Sequence, residues 1–253
     1  MTIAFVHGNP ETDAIWDELV DELAGKGAAD LVLLEPPGFG APIPDGWGAT
    51  REEYRDWLVE QLVQLNAREP VDIVGHDWGA GHVFGLLQAR PDLVRSWACD
   101  CIGLIHPDYV WHDMAQLWQT PEVGEEIVLG MRAASREETI AMMTAAGMGP
   151  VAAADVADSL DGIADCILPL YRSGAQPAVS DLGLALSSMD LPPGLAIDPS
   201  EDPYVGPPGR AAEMALRLGA RHVPLEGAGH WWMCERSAEA AAVLVEFWAS
   251  LDA

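Results

Sequence analysis

The chain has 253 residues, of which 49% are apolar and 21% charged, and its 13 basic and 40 acidic residues give a formal net charge of −27. This length fits one large domain with room for an inserted subdomain. Because so negative a surface repels phosphate backbones and anionic lipids, the composition argues against nucleic-acid and membrane partners and favours a neutral small-molecule substrate.

Short apolar runs alternate with amphipathic segments over the first part of the chain. Strands are predicted at 2–6, 31–35, 71–75 and 94–104, and helices at 14–27, 50–65 and 79–89. Thr50 precedes Glu53 by three residues, a spacing that predicts a capping box at the start of the second helix. The alternation is typical of βαβ units, so we predict an α/β fold with a parallel sheet.

The alternation stops after the fourth predicted strand. Residues 106–190 show helical patterns rich in alanine, methionine and glutamate and no convincing strand, and Ser135 and Glu138 predict a second capping box. The α/β pattern then resumes, with strands at 195–197 and 222–225 and helices at 208–218 and 237–251. We therefore predict a sheet-forming domain, residues 1–105 and 191–253, that is divided by a helical insertion at 106–190.

The strongest local motif is the sequence VGHDWGAG at residues 74–81. It lies where a predicted strand meets a helix, and Gly75 and Gly79 flank Asp77 at two residues on either side. This spacing allows the sharp turn known as a nucleophile elbow, which exposes the central side chain at a helix N-terminus. A carboxylate there needs no base to attack a saturated carbon, and the helix dipole would keep it ionised. The alternative is that Asp77 only caps the helix.

The sequence HGNP at residues 7–10 follows the first predicted strand. Gly8 permits an unusual backbone conformation beside the end of that strand. The amide N–H groups of Asn9 and Trp78 are therefore predicted to form an oxyanion hole for the intermediate that arises when water attacks an ester of Asp77.

His230 lies in a glycine-rich loop after the last predicted strand and is predicted to be the general base for that water. An imidazole base needs a carboxylate to orient it, and the loop after the preceding strand contains three acids. We select Asp202, because Asp198 would still be leaving the strand, and we keep Asp198 and Glu201 as alternatives. His76, next to the nucleophile, is expected to point into the fold.

The chain resembles α/β-hydrolases of the branch with an aspartate nucleophile, which includes epoxide hydrolases and haloalkane dehalogenases. The resemblance covers essentially the whole chain and is carried by HGNP at 7–10, PPGFG at 36–40, VGHDWGA at 74–80, DPYVG at 202–206 and AGHW at 228–231. It implies an α/β-hydrolase fold in which the helical insertion is a lid. Since Met1 lies almost on the first strand, the two strands that usually open this fold are expected to be absent, which leaves about six.

The two reactions of this branch differ in what stabilises the leaving group. Epoxide opening needs an acidic O–H, whereas a halide needs N–H donors that keep their protons. The sequence LYR at 170–172 resembles the second tyrosine motif of epoxide hydrolase lids, so Tyr171 is the predicted proton donor. Trp118 stands where the first tyrosine is usual, and His112 and Tyr109 are the candidate substitutes for that missing hydroxyl.

The side chains of Asn9 and Trp78 resemble the halide-binding pair of many haloalkane dehalogenases, and Trp118 would add a third N–H group. We rank an epoxide hydrolase first and a haloalkane dehalogenase second. A non-catalytic homologue that binds small molecules and an ester or lactone hydrolase remain as further alternatives. No residues show metal-ligand spacing, so neither a metal nor a cofactor is expected.

The start of the chain and its cysteines predict a cytoplasmic protein. The first apolar run, Thr2–Val6, follows no basic segment and is too short for a signal peptide, and no apolar run approaches the roughly 20 residues of a membrane span. The cysteines are too few and scattered for a disulfide framework and are expected to be buried thiols in a reducing compartment: Cys99, Cys101, Cys166 and Cys234. The sequence leaves the oligomeric state open.

Overall fold

The computed structural model describes residues 2–28, 30–65 and 70–252. Its strands are β1 (Ile3–Val6), β2 (Leu31–Leu34), β3 (Val71–Gly75), β4 (Val94–Cys99), β5 (Gly194–Pro199) and β6 (Arg221–Leu225). They form one sheet in the order β2-β1-β3-β4-β5-β6, in which every described pairing is parallel. The predicted α/β fold with about six, mostly parallel strands is therefore confirmed.

The helices follow the strands in the order that βαβ units require. They are α1 (Asp17–Gly25), α2 (Arg51–Leu65), α3 (Trp78–Ala89), α4 (Asp113–Gln119), α5 (Val123–Ala133), α6 (Arg136–Ala145), α7 (Pro150–Asp158), α8 (Leu160–Ser173), α9 (Ala178–Leu186), α10 (Arg210–Leu218), α11 (Trp232–Glu235) and α12 (Ser237–Leu251). Between β4 and β5 the described residues contain helices and no strand, as the helical patterns of that stretch predict. In the described ranges, no helix combines the length and apolar character needed to cross a membrane.

The two largest differences between the predicted and the observed elements concern a helix and a strand. The helix predicted at 14–27 begins as a 3-10 turn at Asp13–Trp16 and only then continues as α1. The strand predicted at 94–104 ends at Cys99, because the chain adopts a left-handed conformation at Cys101, with φ 47°, and enters a 3-10 turn. A residue in that region cannot continue the extended backbone of a strand.

Both predicted capping boxes are present. The Thr50 hydroxyl accepts the Glu53 N–H at 3.3 Å, and the Glu53 carboxylate accepts the Thr50 N–H at 3.0 Å. Ser135 and Glu138 make the same reciprocal pair at the start of α6. Each box satisfies N–H groups that the first turn of a helix leaves unpaired, and the loss of such a cap typically costs about 1 kcal/mol.

The register of the sheet brings the loops that follow β1, β3 and β4 to one edge. Val6 lies opposite Gly75, and Gly75 lies opposite Cys99, so these three strands end at the same level. β5 and β6 run in the same direction beside them. Because the carboxyl ends of parallel strands meet at one edge, residues that follow all five strands can share a site.

The sheet forms the centre of the hydrophobic core. All residues of β1 and β3 are buried, and α3 buries most of its residues against them. The largest fully buried side chains include Trp16, Trp97 and Trp232. Full burial of even a leucine or phenylalanine contributes roughly 1.5–3 kcal/mol, so the strand ends from which the loops start are firmly positioned.

Helix α8 meets the core at a close backbone contact. A Cβ atom at Gly162 would lie 2.8 Å from the carbonyl oxygen of Gly38, and a Cβ atom at Gly38 would lie 2.3 Å from Sγ of Cys166. A side chain at either glycine would push α8 away from the loop that follows β2. The two glycines therefore allow the helix that carries Tyr171 to pack close to the loop after β2.

Candidate active site

Asp77 lies in the turn between β3 and α3. Its backbone has φ 51° and ψ −122°, a conformation that non-glycine residues rarely adopt. A strained residue at this junction is typical of a nucleophile elbow. The Asp77 side chain makes no capping hydrogen bond to α3, so the structure does not support the alternative in which Asp77 only caps the helix.

The loop after β1 closes over the Asp77 carboxylate. The Asn9 N–H donates to Oδ1 of Asp77 at 2.9 Å. A Cβ atom at Gly8 would lie 2.3 Å from that oxygen and 2.4 Å from the amide nitrogen of Trp78, so only glycine fits at this position. Among the described residues, no hydrogen bond involves Oδ2 of Asp77. One carboxylate oxygen is thus held by the loop, and the other is available to react.

His230 and Asp202 form a buried hydrogen-bonded pair. Nδ1 of His230 lies 2.7 Å from Oδ2 of Asp202. Burial alone would raise the pKa of Asp202, but the charge of His230 and its hydrogen bond lower it below the ordinary value. Burial is the largest influence on the pKa of His230 and lowers it, but the charge and hydrogen bond of Asp202, together with the charge of Asp77, raise it above the ordinary value. The carboxylate thus fixes one ring nitrogen of the imidazole and leaves Nε2 for chemistry.

The two other acids considered for this role lie elsewhere. Oδ2 of Asp198 contacts Nε2 of His222 at 2.8 Å, because β5 extends to Pro199 and Asp198 is still paired with β6. Glu201 is exposed. Within the described ranges, Asp202 is the only one of the three acids with a hydrogen bond to His230.

Tyr171, Asn9 and Trp118 meet beside the nucleophile. Nδ2 of Asn9 donates to the Tyr171 hydroxyl in a long contact of 3.5 Å. The rings of Trp118 and Trp78 pack against Tyr171, with centroids 4.7 Å and 5.2 Å away, and Nε1 of each indole is buried without a hydrogen-bond partner in the described residues. Burial, and then the charge of Asp77, raise the pKa of Tyr171 well above its ordinary value, so the hydroxyl keeps its proton.

The two candidate substitutes for the missing tyrosine differ in their hydrogen bonds. The Tyr109 hydroxyl donates to the carbonyl oxygen of Tyr204 at 2.9 Å, so its proton is engaged. Nδ1 of His112 accepts the Ala115 N–H at 3.3 Å at the start of α4. Burial lowers the pKa of His112, so the ring is neutral at neutral pH and its one N–H is on Nε2.

A buried charged network that was not predicted from the sequence lies beside Asp77. Nε2 of His76 lies 2.9 Å from Oε1 of Glu11, and Nδ1 of His76 bonds to Asp100. All three side chains are fully buried. Burial disfavours a charged imidazole, but the two carboxylates raise the pKa of His76 well above its ordinary value. His76 therefore points into the fold, as expected, and is an imidazolium between two carboxylates.

The same network fixes the loops on either side of the site. Glu11 accepts the Gly8 N–H at 2.8 Å and the Trp231 indole N–H at 2.7 Å. Asp100 accepts the Asp77 N–H at 3.0 Å. Since buried carboxylates that accept several N–H bonds are rigidly held, these contacts position the loops after β1, β3 and β6 relative to one another.

The sequence gives only weak indications that Glu11 and Asp100 belong to the site. Glu11 directly follows HGNP, and Asp100 directly follows a buried strand. A carboxylate buried in such a place must be paired.

Tyr204 was also missed as a site residue. Its ring packs between those of His112 and His230, at 5.0 Å and 4.9 Å, and nothing but its position after Asp202 indicates this.

Among the residues that the structure describes, two groups of side chains bring their ligand atoms within 4.8 Å of one another: Glu11 with His76 and His230, and Cys101 with Asp202 and His230. In each group an imidazole already makes a hydrogen bond to a carboxylate, His76 to Glu11 and His230 to Asp202. Hydrogen bonding therefore accounts for both clusters, and we assign a metal to neither.

Asp77 and His230 line the same cavity, which has a volume of about 350 Å³. Asn9, His112 and Tyr171 also line it, whereas Trp78 is not among the described lining residues. The volume is that of an ordinary small-molecule pocket. A carboxylate, an oriented imidazole and O–H and N–H donors around one cavity can attack a carbon, stabilise a leaving group and then activate water.

Residues 2–146 match the protein family described as alpha/beta hydrolase fold. The match covers more than half of the chain and includes the loop at Gly8, the turn at Asp77 and Asp100. The chain belongs to the α/β hydrolase fold family. The sheet, the turn at Asp77 and the order of Asp77, Asp202 and His230 along the chain agree with the fold that the resemblance implied.

Among curated proteins, this α/β-hydrolase is similar to a haloalkane dehalogenase from Mesorhizobium japonicum. The two are 32% identical over 140 residues, which cover 51% of this chain and 43% of the dehalogenase. The matched part thus spans less than half of the relative's own length.

Among solved structures, the fold is similar to a haloalkane dehalogenase from Bradyrhizobium elkani, with a TM-score of 0.68, 21% identity, and coverage of 98% of this chain and 91% of that chain. It is also similar to a thermophilic esterase from Thermogutta terrifontis, with a TM-score of 0.73, 18% identity, and coverage of 99% and 90%. At these identities the likeness concerns the fold, which hosts different reactions.

Proposed function

We propose that this protein is a hydrolase that uses Asp77 as its nucleophile and opens neutral epoxides to vicinal diols. The position of the Tyr171 hydroxyl carries the proposal. Tyr171 is buried and lines the cavity together with Asp77 and His230, and the described residues include no acceptor for its proton. An O–H donor facing a carboxylate nucleophile suits a reaction whose leaving group is an alkoxide, since that oxygen needs a proton.

In the first step, Oδ2 of Asp77 attacks a carbon of the epoxide ring. The bond from that carbon to the ring oxygen breaks as the ester bond forms, and the oxygen takes the proton of Tyr171. The N–H on Nε2 of His112 is the second donor to this oxygen in our proposal, in place of the absent first tyrosine. The products are an alkyl ester on Asp77 and a tyrosinate at Tyr171.

In the second step, water attacks the carbonyl carbon of the ester and His230 takes its proton. The Asn9 amide, which already bonds to Oδ1 of Asp77, stabilises the oxyanion. The bond between the carbonyl carbon and the alkyl oxygen then breaks, and His230 returns its proton to that oxygen. The proton of the regenerated Asp77 carboxylic acid restores Tyr171. The sum of the two steps is one epoxide and one water converted to a diol.

The charges of the residues that line the cavity favour a neutral substrate. Asp77 is the one carboxylate among its described lining residues, and none of them is a lysine or an arginine that could pair with an anion.

We further propose that residues 106–190, which supply Tyr171 and His112, serve as a lid over a core made of residues 1–105 and 191–253. The described cysteines are free, and three are buried, which supports a reducing cytoplasm as the site of action. The net charge of −27 supports a protein without nucleic-acid or membrane partners.

A haloalkane dehalogenase is the second candidate. The indole N–H of Trp118 lines the cavity and has no partner in the described residues, and Nδ2 of Asn9 lies nearby, so two N–H donors are available to a halide. The curated relative from Mesorhizobium japonicum carries that name. Trp78, which was predicted from the sequence to bind the halide, is not among the described lining residues of the cavity and packs against Tyr171.

Replacement of Tyr171 by phenylalanine separates the two candidates. We expect Tyr171→Phe to lower kcat for styrene oxide by about 10²–10⁴-fold, the range of a positioned general acid. Diol from styrene oxide and bromide from 1-bromobutane are measured on the parent and the variant. Tyr109→Phe is the matched control, because its hydroxyl bonds to a backbone carbonyl, and its effect on kcat should stay below about threefold.

Diol formation that survives Tyr171→Phe would contradict the epoxide assignment. Bromide release by the parent that falls in Trp118→Phe and persists in Tyr171→Phe would favour the dehalogenase instead.

The rate of turnover is expected to fall on the acid side of neutrality. Burial raises the pKa of Asp77 to about 6, so the nucleophile is a carboxylate above that pH and loses its charge below it. The pKa of His230 is also raised, and the base must be neutral to accept a proton from water, which strengthens the fall in the same direction. The check is a profile of kcat/KM against pH, with circular dichroism to confirm that the fold persists. A rate that stays constant well below pH 6 would contradict the role of Asp77.

A further inference from the structure

The cavity beside Asp77 has one wall made only of apolar side chains. Helices α5 and α6 contribute Ile127, Met131, Met142 and Met143 to it, Ala146 follows directly after α6, and α4 adds Met114. Four of the nine methionines in the chain thus line this one cavity. Apart from the indole N–H of Trp118 on α4, the polar lining atoms come from other elements, namely the loops after β1, β3, β5 and β6, the residue before α4, and α8.

The methionines run from the interior to the surface. Met143 is only 6% exposed, whereas Met114 and Met142, on two different helices, are 42% and 58% exposed. Met131 has intermediate exposure. The apolar wall therefore extends from the enclosed part of the cavity to its mouth. Methionine is unbranched and polarisable, so such a wall adapts to the shape of what lies on it.

We infer that the substrate is a neutral molecule with its reacting group at one end of a flexible apolar chain, and that this chain lies along the methionine wall. The inference rests on the proposed function, because it takes Asp77 as the reacting end of the cavity. An apolar chain gains the most where no polar group must be desolvated, which is the case along this wall. A chain that ends in a carboxylate is disfavoured, since the wall offers it no cation and the protein has a net charge of −27.

The volume of the cavity sets the length of the chain. If a methylene group occupies about the same space as a water molecule, roughly 30 Å³, then 350 Å³ holds about a dozen such groups. Because Met114 and Met142 line the cavity and are 42% and 58% exposed, we expect a longer chain to pass beside them into solvent rather than clash. We therefore expect specificity to rise with chain length and then to level off.

The first test is a series of straight-chain epoxides with a terminal ring, from four to about twelve carbons. We expect kcat/KM for diol formation to rise about fourfold per added methylene and to level off near ten carbons. A chain of the same length that ends in a carboxylate should lose the gain, whereas its methyl ester should keep it. A value of kcat/KM that is independent of length would overturn the inference.

Substitutions in the wall locate the effect. Met143→Gln and Met131→Gln keep the length of the side chain but add an amide, and each should reduce the ratio of kcat/KM for the long and short epoxides by about tenfold. Met143→Leu should retain the ratio. Leu129→Gln is the matched control, because Leu129 is on α5 with Met131 but is 66% exposed and does not line the cavity. An unchanged ratio in both glutamine variants would refute the methionine wall as the binding surface.

A binding measurement separates failure of the inference from failure of the proposed function. Straight-chain diols of the same lengths are titrated into the parent protein by calorimetry, which requires no turnover. Affinity that rises with chain length and is lost in Met143→Gln supports the wall even if no epoxide is opened, in which case only the proposed reaction fails. Diol formation with an affinity that does not depend on length supports the reaction and overturns the inference.

Discussion

Replacement of His230 by glutamine is expected to stop the reaction halfway and to leave the substrate attached to Asp77. Attack by Asp77 does not need the imidazole, whereas the water of the second step does, so the ester forms and persists. Loss of a positioned general base should lower the steady-state rate by about 10²–10⁴-fold. Mass spectrometry of the intact variant after incubation with styrene oxide should show an increase equal to the mass of one epoxide, and peptide mapping should place it on Asp77.

Two variants control this experiment. Combining His230→Gln with Asp77→Ala should abolish the adduct, since the nucleophile is gone. His222→Gln removes another histidine that contacts an aspartate, Asp198, at 2.8 Å, but outside the cavity, and it should turn over without accumulating ester. If the parent forms diol and His230→Gln shows no adduct on Asp77 at any time, the covalent mechanism is wrong.

Removal of the Glu11 side chain is expected to be the most damaging change outside the cavity. Glu11→Ala leaves the imidazolium of His76 with one carboxylate and leaves the Gly8 amide and the Trp231 indole without their acceptor. Breaking a buried ion pair in this way typically costs about 3–5 kcal/mol. Urea unfolding followed by tryptophan fluorescence measures the loss. Glu11→Gln, which keeps an acceptor of the same shape, should lose less than Glu11→Ala.

The pH dependence of this loss has a definite sign. Burial opposes the charge of Glu11, but His76 lowers its pKa, so the stabilisation by Glu11 is present above the ordinary pKa of a glutamate and is lost in acid. The pKa of His76 is raised, so its contribution is full below the ordinary pKa of histidine and declines as the pH rises through the raised value. The difference between parent and Glu11→Ala should therefore be largest between about pH 5 and 6.5.

Glu60→Gln serves as the reference for this comparison. Glu60 is an exposed acid on α2, and its replacement should change the free energy of unfolding by less than about 0.5 kcal/mol. If Glu11→Ala costs no more than this reference, the network around His76 does not stabilise the fold.

The sequence was sufficient to predict those parts of the site that depend on the topology of the sheet. Asp77, Asp202 and His230 each follow a strand, and parallel strands deliver such residues to one edge whatever the details of packing. The choice of Asp202 over Asp198 needed only the length of β5, which places Asp198 opposite β6 and beside His222. The catalytic roles of these residues remain predictions for the experiments above.

Features that depend on contacts between several loops were not predictable. Glu11, His76 and Asp100 come from three separate loops, and no spacing in the sequence shows that one imidazole lies between two acids. The methionine wall was missed for a similar reason. Its members are on α4, α5 and α6, and helical patterns reveal which residues of one helix share a face but not how three helices are arranged around a cavity.

The contact between Gly38 and Gly162 has a consequence for how molecules reach Asp77. Because the two backbones touch there, α8 cannot move away from the loop after β2 without losing this contact. Substrate and product are therefore expected to pass through the exposed part of the cavity lining, beside Met114 and Met142. The entrance of the cavity and the methionine wall would then be one surface. A change at Met114 or Met142 should therefore alter the rate of substrate entry as well as the substrate preference.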